Sequence, residues 1–93
     1  MNKKAGFILK IVKEIEDKFN CIAYAYFDEK GGWWCICVDN YDLYMKDDVF
    51  RKAVKIYHII SSKKKVKITF SYCKPLESKL KELAKNDNLI LNI

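Results

Sequence analysis

Cys73 is the residue best placed for nucleophilic chemistry. It comes shortly before Pro75, which predicts the start of a helix, and Lys74 follows it directly. A thiol near the positive end of a helix and beside a lysine is expected to be a better nucleophile than an ordinary thiol. A phosphatase-type loop, however, needs glycines and an arginine six positions later, and here that position is Lys79 and the loop has no glycine. A structural thiol is therefore the favoured interpretation, with cysteine-based catalysis as the alternative.

Asp39 and Asp42 could serve a different chemistry, metal-dependent hydrolysis of nucleic acids. They follow a strand-like segment, and ligands of open α/β sheets favour the carboxyl ends of strands. Many nuclease cores use two carboxylates and a lysine around a cation, and Lys46 is the only lysine placed to join these aspartates. Lys46 comes four residues after Asp42, whereas an acid-x-lysine spacing within one strand would be expected, so the motif is incomplete.

A binding function would use another set of residues. Six side chains are predicted to share one face of a sheet: Tyr24, Tyr26, Trp33, Lys65, Lys67 and Thr69. Aromatic rings flanked by lysines form a platform on which single-stranded bases can stack, but such rings are also typical of protein interfaces. Arginine reads guanine edges and forks phosphates, and Arg51 is the only arginine. This scarcity favours a protein partner, or a second copy of the chain, over nucleic acid.

The cysteines do not follow a metal-binding pattern. There are four of them, Cys21, Cys35, Cys37 and Cys73, with a single histidine, His58. A zinc site would need C-x2-C pairs or histidines at ligand spacing. Cys35 and Cys37 would point the same way on a strand, but about 6.5–7 Å between their Cα atoms is too far for a comfortable disulfide. The sequence therefore predicts reduced structural thiols, with no metal and no cofactor.

Positive charge is concentrated in the second half of the chain. Residues 1–50 contain seven Lys and nine Asp/Glu, a balance of −2, whereas residues 51–93 contain eleven Lys/Arg and three Asp/Glu, a balance of +8. This asymmetry is a reason to consider a polyanionic partner, with the lysine cluster at residues 63–67 contacting phosphates. A general bias toward Lys, Ile and Asn would explain it equally well. Nucleic-acid binding that is not base-specific is therefore the alternative to protein binding.

Two aromatic-rich segments flank the polar turn at residues 29–32 and predict an antiparallel β-hairpin. If Asp28 lies opposite Trp33, one face of the hairpin is wholly apolar. This core set is Ala23, Ala25, Phe27, Trp34, Ile36 and Val38. A slip of one residue would mix the two faces, which is costly wherever one face is buried. The other face then carries Tyr24, Tyr26 and Trp33, large aromatic side chains that the predicted core does not use.

Three amphipathic helices are predicted around this hairpin. The first spans Lys3–Phe19 and ends at Asn20, the second begins at Asp47 or Asp48 and continues to about residue 60, and the third begins at Pro75. Residues 61–65 are expected to form the turn after the second helix. Residues 41–45 are predicted either as a short strand, because apolar residues alternate there, or as a connecting loop.

Alternation also predicts the architecture. Residues 66–72 alternate strictly between apolar and polar side chains, which indicates a strand buried on one face only, and residues 89–93 predict a terminal strand. We expect an α-β-β-(β)-α-β-α-β order with two right-handed β-α-β crossovers that step in the same direction. The predicted fold is an α+β or α/β two-layer sandwich: the helices cover one face of a mixed sheet of four or five strands, and the other face is open.

We expect residues 1–93 to form one small globular domain. Met1 leads into an amphipathic pattern and not an apolar signal segment, and no apolar run approaches the length that spans a bilayer, so we expect a cytoplasmic protein that does not bind membranes. Enzymatic activity is left open, and a non-enzymatic interaction module is favoured.

Overall fold

The computed structural model describes residues 3–74, Ser78, Lys81 and residues 89–91, which contain a β-hairpin, two further strands and three helices. Within these residues the elements are α1 (Lys3–Phe19), β1 (Ala23–Asp28), β2 (Trp33–Val38), α2 (Tyr41–Lys46), α3 (Asp48–Lys63), β3 (Ile68–Tyr72) and β4 (Leu89–Leu91). The strands β1, β2 and β3 form a mixed sheet, to which β4 adds at the free edge of β1. The predicted class, a small α+β domain of helices and a mixed sheet, is confirmed.

The hairpin has the predicted register. Asp28 pairs with Trp33 and Ala25 with Ile36, in antiparallel fashion. The side chain of Asp28 accepts a hydrogen bond from the backbone N–H of Lys30 at 3.0 Å, and the Asp28 carbonyl accepts one from Gly32 at 2.8 Å. Gly32 has φ of +72°, a conformation that glycine adopts without strain. The turn therefore sets the register, because its own hydrogen bonds close the loop at this length.

The predicted core set faces the helices. Five of its members are buried and Phe27 is partly buried against them. The buried residues that α1 and α3 contribute to this core are Ala5, Ile8, Ile11, Val12, Ile15, Phe50 and Ala53. Their three- and four-residue spacing puts one stripe of each helix on the sheet, as an amphipathic helix requires.

The strand order β3-β2-β1-β4 corrects one part of the predicted topology. Strand β3 lies next to β2 and parallel to it, whereas β4 lies at the opposite edge of the sheet, three positions away from β3. The two connections therefore step in opposite directions, and the prediction that they step in the same direction is wrong. Right-handed crossovers share a face only when they step the same way, so an open second face does not follow from this topology.

Residues 41–46 form the short helix α2, so the predicted alternatives of a strand or a loop are both wrong. The side chain of Asn40 accepts a hydrogen bond from the N–H of Leu43 at 3.0 Å and caps the helix. Asp42 and Lys46, four residues apart, form an ion pair at 3.5 Å. Only Leu43 is buried, so the apolar alternation around it did not mark a sheet face.

Helix α3 begins where the sequence predicts and ends later. Asp47 is its N-cap, with a side-chain oxygen 2.8 Å from the N–H of Phe50. The helix continues to Lys63, so Ser61, predicted to lie in a turn, is helical and buried, and it donates its hydroxyl to the Tyr57 carbonyl at 2.7 Å. The chain then turns at Lys65, whose φ is 58°.

Two further predictions concern the end of the chain. Apart from Ser78 and Lys81, the segment predicted as the third helix lies outside the described residues, as do residues 92 and 93 of the predicted terminal strand. The handedness of the two crossovers stays a prediction. No helix in the described part of the chain is long and apolar enough to cross a membrane.

Candidate functional site

The sheet face opposite the core set is closed at its centre. Tyr24 is 5 % exposed, Cys37 is fully buried and Cys35 is also buried. The Tyr24 hydroxyl lies 3.2 Å from the Sγ of Cys73, so its ring reaches across β2. The prediction that this face is open is therefore wrong at the centre, and Tyr24 is not available for a direct contact with a partner.

Burial and local hydrogen bonds favour the protonated forms of three groups on this face, Tyr24, Tyr26 and Cys37. The pKa of Tyr24 is raised by burial and by its hydrogen bond with Cys73. The pKa of Tyr26 is raised mainly by a hydrogen bond with Cys35, and then by burial. Burial, followed by a hydrogen bond with Cys73, also raises the pKa of the Cys37 thiol. A buried, protonated thiol is a poor nucleophile, so Cys37 is suited to packing.

Trp33 lies at the edge of the same face and is 41 % exposed. A methyl group at Gly31 would lie only 2.7 Å from the Trp33 ring, so the indole rests directly on the turn of the hairpin. Beside it is a cleft of about 400 Å³ between α3 and the start of β3. We call it the Trp33 cleft, and it is lined by Trp33, His58, Ser61, Ser62, Val66, Lys67, Ile68 and Thr69.

The structure thus brings together three of the six predicted binding residues. Trp33, Lys67 and Thr69 line the cleft, and Lys65 is exposed two residues before Lys67 without lining it. Tyr24 and Tyr26 do not line it. The cleft is smaller than the predicted aromatic platform and lies at one end of it, because the centre of the platform is covered.

His58 also lines the cleft, although it was not among the predicted binding residues. Its ring packs edge-on against Phe70, with 5.5 Å between the ring centroids. The helical spacing places it just outside the core stripe of Phe50, Ala53 and Tyr57. A residue in that position is expected to contact a strand beside the helix. Which strand it contacts could not be known before the pairing of β3 with β2.

The carboxyl ends of β2 and β3 form a second depression, as the topology predicts. A cavity of about 560 Å³ lies there, and it is lined by Asn20, Cys21, Ile22, Asp39, Asn40, Tyr41, Asp42, Tyr72 and Lys74. The rings of Tyr41 and Tyr72 pack edge to face in its wall, 5.4 Å apart. Burial, then the carboxylates of Asp39 and Glu16, raises the pKa of Cys21 to about 11.

The cavity brings together two of the three candidate catalytic residues, Asp39 and Asp42, but each has a structural partner and Cys73 lies outside the lining. Asp39 accepts a hydrogen bond from the N–H of Ile22 at 3.0 Å, and Asp42 pairs with Lys46 on the surface of α2. Cys73 does not line the cavity, and its hydrogen-bond partner is Tyr24. In the described part of the chain, no three or more His, Cys, Asp or Glu side chains form a group that could hold a metal ion. All four cysteines are free thiols.

Comparison of the chain with protein-family models, with curated proteins and with solved structures finds no match.

Proposed function

We propose that this protein is a non-catalytic interaction module that binds a protein partner through the Trp33 cleft. The observation that carries the proposal is the position of Trp33. A large aromatic ring rests on the turn at Gly31 and is two-fifths exposed at the mouth of a 400 Å³ cleft. Exposed tryptophan is among the residue types that dominate protein interfaces.

The composition of the cleft suits a protein contact. Val66 and Ile68 give it an apolar floor, and His58, Lys67 and Thr69 give it a polar rim. Interfaces commonly combine an apolar centre with a polar, solvent-accessible edge. The partner is either a second copy of this chain or another protein, and the location is proposed to be cytoplasmic because all four cysteines are free thiols.

Photo-cross-linking in the host cell tests the proposal. A photoreactive phenylalanine analogue is placed at position 33 in one variant and at position 41 in the other, where Tyr41 is also an exposed aromatic but lies at the opposite end of the sheet. We expect discrete protein adducts from position 33 that are absent from position 41. Identical adduct patterns, or none at position 33, would contradict a binding role for the cleft.

Sedimentation of the purified protein identifies self-association. If the partner is a second copy, the wild type shifts from monomer to dimer as its concentration rises, Trp33→Ala does not, and Tyr41→Ala behaves as the wild type. If the partner is another protein, all three stay monomeric, and the adducts from position 33 contain a different chain.

A second candidate function is binding of single-stranded nucleic acid, favoured by the lysines beside the cleft. Lys63, Lys64, Lys65 and Lys67 are all exposed, and Trp33 could stack on a base. This candidate predicts that a labelled oligothymidylate binds with an affinity that falls steeply with added salt and weakens in Lys67→Glu. Binding that is undetectable or independent of salt would exclude it.

A further inference from the structure

Helices α1 and α3 lie side by side and antiparallel, joined by long side chains. Three contacts mark the seam: the rings of Phe19 and Phe50 lie 5.4 Å apart, the hydroxyl of Tyr57 donates to Glu14 at 3.1 Å, and Lys64 Nζ lies 5.3 Å from the Phe7 ring centroid. As the sequence number rises along α1 it falls along α3. A shallow trough is therefore left on the outer side of the seam.

Part of this trough is a cavity of about 400 Å³, which we call the α1–α3 groove. It is lined on α1 by Gly6, Phe7, Lys10, Ile11 and Glu14, and on α3 by Tyr57, Ile60 and Lys64. Gly6 contributes no side chain, and a methyl group there would meet nothing within 4 Å. The groove thus has an apolar floor with room above it, on the opposite flank of α3 from His58 and the Trp33 cleft.

Helix α3 extends the apolar surface of the groove. Ile60, at 38 % exposed, follows Val49 and Ile56, at 55 % and 56 %. Their spacing of seven and four residues places all three on one flank of the helix, over about 16 Å. Isolated exposed aliphatic residues are ordinary, but three aligned on one flank of a helix, in a strip that leads into a groove, are typical of a docking surface.

The edges of the strip are basic. Lys10 and Lys64 line the groove itself, and both are exposed. Lys52 lies three residues after Val49 and Lys63 three after Ile60, which are neighbouring positions on a helix surface. Glu14 is the carboxylate of the lining and accepts the hydrogen bond from Tyr57, so lysines outnumber carboxylates in the lining by two to one. An occupant of complementary charge is therefore acidic.

We propose that the α1–α3 groove binds a short amphipathic helix of another protein, with aliphatic residues on one face and acidic residues on its flanks. A helix lying in a groove between two helices, anchored at i, i+3, i+4 and i+7, is an established mode of peptide recognition. The groove of a second copy would present the same lysines and repel them, in a chain of net charge +6. A lipid surface is flat and would leave the concave groove unfilled.

Fluorescence anisotropy with a labelled synthetic peptide tests the proposal. The peptide has about 14 residues, enough for the length of the strip, with leucines at i, i+3, i+4 and i+7 and glutamates on the flanks. A scrambled peptide of the same composition has the same charge without an apolar face. We expect the amphipathic peptide to bind at least about tenfold more tightly than the scrambled one, since only its leucines can fill the groove.

Matched variants place the binding in the groove. Ile60→Ala is expected to weaken binding about tenfold, whereas Ile59→Ala, on the same helix and exposed but outside the lining, leaves it unchanged. Lys10→Glu and Lys64→Glu should each weaken it several-fold, and Lys30→Glu, the same charge change in the hairpin turn, should weaken it less. Circular dichroism of each variant confirms that it is folded.

Three results would overturn the proposal. Equal binding of the amphipathic and scrambled peptides would show charge attraction alone. Equal effects of Lys30→Glu and Lys64→Glu would place the peptide elsewhere. The third result is a peptide that does not bind, together with a wild type that dimerises or adheres to anionic phospholipid vesicles when Ile60→Ala does not. It would assign the groove to a second copy or to a membrane surface. Because Trp33→Ala leaves the groove intact, peptide binding by that variant separates this proposal from the function of the Trp33 cleft.

Discussion

Tyr24 and Cys73 are 49 residues apart in the sequence, and the hydroxyl of one lies 3.2 Å from the sulfur of the other. The pair ties the first strand of the hairpin to the segment that follows β3, across β2 between them. The ring of Tyr24 must therefore lie over the face of the sheet, and it helps to bury Cys37. This contact belongs to the buried centre of the second face, where Tyr24, Cys35 and Cys37 are all shielded from solvent.

Removing the hydroxyl in Tyr24→Phe should lower the free energy of unfolding by about 0.5–1.5 kcal/mol, the usual net contribution of a hydrogen bond. Urea denaturation measures it, and Tyr41→Phe, on an exposed ring, is the control. In a double-mutant cycle with Cys73→Ala the two losses should be less than additive. Simple additivity would mean that the two groups do not interact.

The contact between Tyr57 and Glu14 predicts a dependence of stability on pH. Burial, followed by the negative charge of Glu14, raises the pKa of Tyr57 to about 12 from an ordinary 10.0. Because the folded state retains the phenol proton more strongly, the stability gained from this group is fully present below pH 10 and is lost as the pH rises from 10 through 12.

Tyr57→Phe isolates this effect from the titration of other groups. The difference in unfolding free energy between wild type and Tyr57→Phe should be constant from pH 7 to 9 and should shrink between pH 10 and 12. Urea denaturation across this range measures it. A difference that grows above pH 10 would contradict the assigned direction of the shift.

Alanine substitutions at Gly31 and Gly6 should have different effects: the first should displace a neighbouring side chain, and the second should stabilise the helix that contains it. In Gly31→Ala the new methyl group would clash with the Trp33 ring at 2.7 Å, so the indole must move. We expect a shift in tryptophan emission and altered quenching by iodide, to which the buried Trp34 contributes little. Gly6→Ala places a methyl group in open space on a helix and should raise stability by about 0.5–1 kcal/mol. Unchanged quenching in Gly31→Ala would contradict the packing of Trp33 on the turn.

Asp47 is the N-cap of α3, and its loss should destabilise the protein. Asp47→Ala removes the acceptor for the N–H of Phe50, at 2.8 Å, and is expected to cost about 0.5–2 kcal/mol. Asp47→Asn keeps an acceptor oxygen and should cost less. Thermal unfolding compares both with Asp48→Ala, which changes the neighbouring exposed carboxylate. Equal losses for alanine and asparagine would show that capping is not the reason.

The site was less predictable than the fold. The aromatic character of Tyr24, Tyr26 and Trp33 was visible in the sequence, but it did not distinguish a residue that is covered from one that is exposed. Trp33 is the first residue of β2, at the end of the strand, and keeps its exposure, whereas Tyr24 faces the centre of the sheet and loses it. His58 and Ser61, which complete the cleft, are 25 or more residues away from Trp33 in the chain, and no local pattern connects them.

The helix α2 shows the limit of periodicity over short segments. Tyr41, Leu43 and Met45 alternate with polar residues as a strand would, yet six residues hold too few turns for either period to be decisive. The cap at Asn40 and the ion pair between Asp42 and Lys46 decide for a helix.

The sequence alone determined the register of the hairpin, its core face and the amphipathic stripes of α1 and α3. Side-chain direction repeats every two residues in a strand and every 3.6 in a helix, so local order along the chain is enough to assign these faces. Only the tertiary structure decided the order β3-β2-β1-β4 and the burial of Tyr24 against Cys73. Both depend on which distant segments meet, and an open and a covered sheet face can carry the same alternating residues.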